Sequence, residues 1–169
     1  MHKLPEKISI GLLVAGLSCG AFAADEPALV TYQALTLETA QALAEATVET
    51  CRKGGFQIAV AVVDRAGVPQ VILRDRYAGA HTPDTATRKA WTAASFRTDT
   101  LAMAETTQAG KPQSGARSVT HALMIGGGVP IEVDGSLVGA VGVSGAPEGE
   151  QDDACARSGL AAIEERFLH

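Results

Sequence analysis

Lys89 is the residue of this chain whose surroundings most suggest chemistry, because it lies in an alanine-rich stretch beside Ala90 and Trp91. A partly buried lysine amine can change its pKa and act as a base, a Schiff-base donor or an anchor for a carboxylate. Alternatively, its aliphatic stem covers a sheet while its ammonium reaches water. The Arg74-Asp75 pair could be its partner or could form an ordinary ion pair at a strand end, which we favour. Lys89 is therefore the candidate catalytic residue.

A run of three glycines, Gly126, Gly127 and Gly128, offers backbone N–H groups that could bind an anionic group such as a carboxylate. It is not a phosphate loop, because no Gly-Lys-Ser/Thr follows it. Together with Lys89 and Arg74, these amides would form a site for a small carboxylate or hydroxy acid. One hypothesis is therefore a binding protein or an enzyme for such acids.

Several common catalytic and binding motifs are excluded. Gly139-x-x-Gly142 lies in a predicted strand and does not open a helix, so it is not a dinucleotide fingerprint. Ser144 is followed at once by Gly145 and lacks the spacing of a nucleophile elbow. The sequence also has no clustered Asp, Glu, His and Cys pattern of the kind that holds a structural metal.

The glycine-rich run belongs to a predicted hairpin. Seven of the twenty residues from Gly126 to Gly145 are glycine, and β-branched residues lie between them on both sides of an Asp134-Gly135 turn. Glycine removes side-chain contacts from a strand. Gly139 and Gly142 therefore predict that a helix, another backbone or a ligand approaches this strand closely.

The periodicity of apolar residues predicts the other elements. Thr36 is a good N-cap for a first helix that ends at Gly54-Gly55, and Thr82-Pro83-Asp84 caps the helix that carries Lys89. Pro69 favours an edge position or a bulge near the start of its strand. The predicted helices are 37–53, 83–96, 99–107 and 151–167, the predicted strands are 58–64, 68–73, 122–125, 129–133 and 137–143, and a loop is expected at 109–120. This order predicts an α+β domain in which helices cover an antiparallel sheet.

Five short motifs, in order along the chain, resemble those of the GlcG/HbpS family, also called the haem-degrading or PduO C-terminal-like domain. They are Asp64-x-x-Gly67, Arg74-Asp-x-x-Ala78, Lys89-Ala-x-Thr-Ala93, Gly126-Gly-Gly-x-Pro130 and Gly139-x-x-Gly142-x-Ser-Gly145. The resemblance covers roughly residues 35 to 165. It implies a profilin-like or PAS-like fold, with an antiparallel sheet of about five strands flanked by helices, that assembles into homo-oligomers.

The same resemblance implies haem as a cofactor, since members of the family have been linked to haem binding as well as to glycolate and diol utilisation. Haem iron takes an imidazole or a phenolate as axial ligand, and its propionates take Arg, Lys or hydroxyl donors. His81 is the candidate iron ligand, because Arg74 and Tyr77 precede it and a helix follows it. Lys89 and the amides of Gly126–Gly128 could bind a propionate. The leading hypothesis is a protein that sequesters haem and could degrade it.

The remaining histidines and aromatic residues are weaker candidates. His81 itself could instead hydrogen-bond the backbone before the helix. His121 precedes a short apolar run and is expected to pack locally, and His169 is the last residue of the chain. Trp91 and Phe96 could form apolar walls for a haem. No axial ligand can be transferred from the family by position.

The N-terminal residues predict export. Two lysines, the apolar run 8–17 and the Ala21-Phe-Ala23 sequence match a secretory signal peptide over residues 1–23. Residues 24–169 would then be a single domain in the periplasm or outside the cell. The apolar run is short for a bilayer core of about 30 Å, and no later segment is long and apolar enough, so we expect no membrane span.

Charge and composition limit the classes of binding partner that we expect for this chain. The chain has a formal net charge of −5, and its Lys and Arg residues are scattered, so we expect no nucleic-acid partner. Ala, Gly and Val are abundant and aromatic residues are scarce, which suits subunits that pack face to face.

Two cysteines, Cys51 and Cys155, follow the predicted signal peptide. Disulfides persist in exported proteins. In the fold that the resemblance implies, the two helices carrying these cysteines are neighbours. The pair could therefore form a disulfide between the ends of the chain, or remain two small buried thiols.

Overall fold

The computed structural model describes residues 28–167; the predicted signal peptide and His169 lie outside these residues. The helices and strands, in chain order, are α1 (Leu37–Lys53), β1 (Ala59–Asp64), β2 (Pro69–Arg74), α2 (Thr82–Phe96), α3 (Thr100–Thr106), β3 (Gly128–Val133), β4 (Ser136–Ser144) and α4 (Gly149–Ala162), with 3₁₀ turns at Ser114–Ser118 and Glu164–Phe167. Among the described residues we find no helix with the length and apolarity that crossing a membrane would need.

The four strands form one antiparallel sheet in the order β2-β1-β4-β3. The first predicted hairpin joins β1 to β2 through a turn in which Asp64 Oδ1 accepts the N–H groups of Ala66 (2.8 Å) and Val68 (2.9 Å). The register shifts where Val63 faces Pro69, which places the proline at an irregularity near the start of an edge strand. The α+β class and this hairpin are confirmed.

The second hairpin, β3 to β4, turns at Asp134 and Gly135, whose φ angles are 50° and 73°. Positive φ at both positions is the requirement of a type I′ turn, which Asp-Gly satisfies at low cost. The predicted glycine-rich hairpin is therefore confirmed, including its turn.

Helices cover both faces of the sheet. On one face, α1 and α4 enclose the main core, which includes Leu43, Val60, Val62, Val141 and Val143. On the other face α2 lies directly on β4, since a Cβ at Gly142 would come within 2.0 Å of the Ala86 carbonyl oxygen. The predicted close approach at Gly142 is confirmed, and the approaching element is a helix.

A disulfide joins α1 to α4. Cys51 and Cys155 are bonded, with their Cα atoms 5.3 Å apart, and both are buried. The two helices approach closely one turn further along, because a Cβ at Gly159 would lie 2.0 Å from Thr47 Oγ1. Of the two alternatives left open by the sequence, the structure has the disulfide.

The predicted strand at 122–125 is wrong, so the sheet has four strands where about five were expected. The Leu123 N–H donates to Thr92 Oγ1 on α2 (2.9 Å) and pairs with no strand. Ala122 and Met124 pack against Met103. Because residues 122–124 contact α2 and α3, they lie outside the sheet, and the next strand, β3, begins only at Gly128.

The last helix also differs from its prediction. It begins at Gly149 and not at Gln151, because the side chains of Glu148 and Gln151 form a reciprocal capping box. It ends at Ala162, and the final residues to Phe167 form a 3₁₀ turn.

Candidate functional site

The predicted site residues fall in three separate places. His81 and Tyr77 line an open groove at one end of the sheet. Lys89 lies beside Gly127 in the protein interior. Arg74 faces a different groove. The residues expected to form one site therefore do not all meet.

The groove that contains His81, called here the His81 groove, has a volume of about 350 Å³. Three segments line it: residues 55–57 before β1, residues 77–82 between β2 and α2, and residues 144–147 after β4. These segments meet because β1 begins where β4 ends, with Ala59 facing Ser144. Phe56 also lines this groove, and no sequence pattern had indicated it as a site residue.

His81 occupies the N-cap position of α2, where Thr82 had been expected; Thr82 is instead the first helical residue, and its Oγ1 donates to the Gly79 carbonyl (2.8 Å). The His81 side chain is exposed and makes no capping hydrogen bond to the helix. Its ring lies over Gly79, where a Cβ would come within 2.7 Å of His81 Cε1. The imidazole is thus presented to the groove and is not used to cap the helix.

Tyr77 lies on the same connection and is 78% exposed. Imidazole and phenolate are both known axial ligands of haem iron, so this groove offers two candidate ligands and the hydroxyl group of Ser144. Its volume is at the lower end of the range of about 300–1,000 Å³ for small-molecule sites. The residues fit one face or edge of a haem and would leave the rest of it uncovered.

Arg74 and Asp75 do not pair with each other or with Lys89, so both interpretations of this pair were wrong. The Arg74 guanidinium donates to the Ala78 carbonyl oxygen. The buried Asp75 carboxylate accepts from Arg52 Nε on α1 (2.8 Å). This bond with Asp75 raises the pKa of Arg52 above its ordinary value. Both arginines hold the ends of elements together, and neither faces the His81 groove.

Lys89 is 1% exposed, so its ammonium does not reach water as the alternative interpretation proposed. Lys89 Nζ donates to Asp152 Oδ2 (2.7 Å) and to the Val143 carbonyl oxygen (3.0 Å). Burial raises the pKa of the Asp152 carboxyl, while Lys89 and the Ala146 N–H oppose part of that rise. Sequence reasoning missed Asp152. The sequence signal available was an acidic residue in the first turn of α4.

The three glycines of the 126–128 run are buried, and Gly127 lies against this ion pair. Gly127 has φ of 117°, and a Cβ there would lie 2.7 Å from Asp152 Cβ and 3.1 Å from Lys89 Nζ. The Gly128 N–H already donates to Thr100 Oγ1 (2.7 Å). An external carboxylate would have to displace Asp152 to reach Lys89. The geometry therefore favours a structural role for these residues over a small-acid site.

The other predicted candidates lie elsewhere. Trp91 and Phe96 pack with Met103 and the 122–124 segment, so they are not walls of the His81 groove. The ring of His121 lies 5.9 Å from that of Trp91. Within residues 28–167 no group of three or more His, Cys, Asp or Glu side chains could hold a metal ion. The His81 groove remains the candidate ligand site.

A helix-covered antiparallel sheet with an open groove carrying exposed His and Tyr side chains defines an α+β domain suited to binding a small ligand. The chain belongs to the HbpS-like family: the family model described as "Haem degrading protein HbpS-like" matches residues 35–161. The fold and the recognition from sequence motifs are thereby confirmed.

Three relatives illustrate the similarity. A crystal structure of a double mutant of HbpS from Streptomyces reticuli is 38% identical, with a TM-score of 0.76, over 83% of this chain and 94% of that chain. A crystal structure of a PduOC:heme complex is 32% identical, with a TM-score of 0.72, over 77% of this chain and 95% of that chain. The corrinoid adenosyltransferase PduO of Salmonella typhimurium is 32% identical over 132 residues, which are 77% of this chain and 39% of that protein. The chain thus spans about two fifths of that relative.

Proposed function

We propose that this chain is an exported, oligomeric protein that binds haem in the His81 groove. The observation that carries the proposal is that two candidate iron ligands, His81 and Tyr77, line one open groove. The relative solved as a haem complex supports the choice of ligand. The sequence of residues 1–23 supports export.

In this proposal His81 would supply an imidazole ligand to the iron, and Tyr77 would supply a phenolate ligand or pack against the porphyrin. Ser144 would supply a hydroxyl group for a propionate, and Phe56 an apolar contact. A groove of about 350 Å³ covers only part of a haem. A second copy of the chain would cover the rest, which supports a homo-oligomer.

Haem would supply redox chemistry at its iron when bound, and slow haem degradation would require an external oxidant, such as dioxygen or peroxide, to react there. The groove itself contributes binding, orientation and partial exclusion of water. The open side of the groove suits reversible sequestration. We therefore propose binding as the main function, with degradation as a slow consequence.

An absorbance titration with hemin tests the proposal. The protein lacking residues 1–23 is titrated beside His81→Ala, Tyr77→Phe and, as a matched surface-histidine control, His121→Ala. We expect a saturable Soret shift that persists in the control and is lost or weakened at least tenfold in His81→Ala. Equal hemin affinities for His81→Ala and His121→Ala would refute the His81 groove as the haem site. The absence of a saturable Soret shift in the parent protein would refute haem binding.

A further inference from the structure

One wall of the His81 groove, residues 144–147, is held by strand pairing only at Ser144. Strand β4 ends at Ser144 and α4 begins at Gly149, and residues 144–147 line the groove between them. Gly145 has φ of 141°, so the chain turns sharply there. Pro147 has no N–H to donate. The position of this wall therefore depends on a few specific hydrogen bonds.

Asp152 supplies one of these bonds. Its Oδ1 accepts the Ala146 N–H (3.0 Å). Asp152 is 3% exposed and projects from the first turn of α4. A carboxylate that accepts backbone N–H groups makes stronger hydrogen bonds than a neutral acceptor does. Asp152 thus ties the groove wall to α4.

Lys89 holds this carboxylate from the opposite side. Its Nζ donates to Asp152 Oδ2 (2.7 Å) and to the carbonyl of Val143, the residue just before the wall (3.0 Å). A single ammonium on α2 therefore fixes both the end of β4 and the side chain that binds Ala146. Gly127 leaves room for this contact, because a Cβ there would lie 2.7 Å from the Val143 carbonyl oxygen.

The other wall of the groove also depends on α2, because His81 is the N-cap residue of that helix and Lys89 lies two turns further along it. The ion pair thus connects the helix that presents His81 to the segment facing it. We propose that Lys89 and Asp152 are positioning residues that set the spacing between His81 and residues 144–147. The use of hemin as the ligand rests on the proposed haem function, whereas the anchoring of residues 144–147 by Asp152 does not.

Two double variants separate anchoring from charge. Lys89→Met with Asp152→Asn removes both charges but keeps an amide oxygen that can accept the Ala146 N–H. Lys89→Met with Asp152→Leu also removes both charges and has no acceptor. Neither variant leaves a buried charge unpaired. The comparison therefore isolates the bond to the wall.

The measurements are hydrogen exchange of the Ala146 amide by NMR and the hemin dissociation constant. We expect Ala146 exchange in the Asn double variant to be about threefold faster than in the parent, because an acceptor for the Ala146 N–H remains but Lys89 no longer holds it in place. We expect it to be at least tenfold faster in the Leu double variant, with hemin bound about tenfold more weakly and the Soret position unchanged, because His81 is intact. Equal exchange and equal affinity in the two variants would overturn the proposal.

The parent protein provides a test that needs no substitution. The Ala146 amide lies outside regular structure, yet the bond to a buried carboxylate predicts exchange at least a hundredfold slower than in an unfolded chain. Exchange at the unfolded rate would overturn the anchoring role even if the variants failed to fold. If the parent bound no hemin, the exchange comparison would still decide the anchoring role, and only the haem function would fail.

Discussion

Replacing Lys89 by methionine gives the sharpest test of the buried ion pair. The substitution keeps an unbranched side chain but leaves the Asp152 carboxylate, 3% exposed, without its cation. Removing one partner of a buried pair costs about 3–5 kcal/mol of unfolding free energy. For a domain of this size, such a loss lowers the melting temperature by roughly 6–20 °C. We expect this loss at pH 7.

The loss should depend on pH, because burial already raises the pKa of Asp152 above its ordinary value of 3.8, and losing Lys89 raises it further. A raised carboxyl pKa means that the folded state binds the proton more tightly. The stability of the variant then falls as pH rises from the unfolded-state pKa to the folded-state pKa. The loss therefore begins above the ordinary carboxyl pKa of 3.8 and is complete once the pH exceeds the raised folded-state pKa.

The assay is urea unfolding followed by circular dichroism at a series of pH values from 4 to 8. The matched control is Lys53→Met, which breaks the exposed pair between Lys53 and Glu49, whose side chains are 69% and 68% exposed. An exposed pair of this kind contributes at most about 1 kcal/mol, so we expect little change at any pH. A Lys89→Met curve parallel to that of the parent, or a loss no larger than in the control, would refute the reasoning.

Three further predictions concern the disulfide, the contact between α2 and β4, and export. Removing the Cys51–Cys155 disulfide should lower the unfolding free energy by about 2–4 kcal/mol without abolishing hemin binding; unchanged melting under reductant would contradict this. Gly142→Ala places a methyl 2.0 Å from a helix carbonyl and should cost about 1–3 kcal/mol or more in urea unfolding. Gly115→Ala, with nothing within 4 Å, should cost under about 0.5 kcal/mol, and equal costs would contradict the packing of α2 on β4. Mass spectrometry of the exported protein should find Ala24 as its first residue; an intact N-terminus on that protein would contradict the cleavage site.

The fold could be predicted where its causes are local. The Asp134-Gly135 turn follows from residue types that accept positive φ, and the glycine at position 142 indicated that another element lies close to the strand. The strand predicted at 122–125 was wrong because an apolar run this short has no periodicity that distinguishes a strand from an irregular segment. Its Leu123 N–H goes to a helix hydroxyl, which no local pattern indicates.

The site was harder to predict than the fold because its contacts connect distant parts of the chain. Lys89 was identified correctly as unusual, but its partner Asp152 lies 63 residues away on another helix. Arg74 and Asp75 are adjacent in sequence, yet they bind different partners on opposite sides of the strand end. Adjacency and spacing therefore selected the right residue types but could not assign their partners.

A crystal structure of the protein with hemin would test the central claim most directly. The account predicts iron bound by His81, with the porphyrin in the groove that residues 55–57, 77–82 and 144–147 line. Haem bound away from His81, for instance at His121, would contradict it.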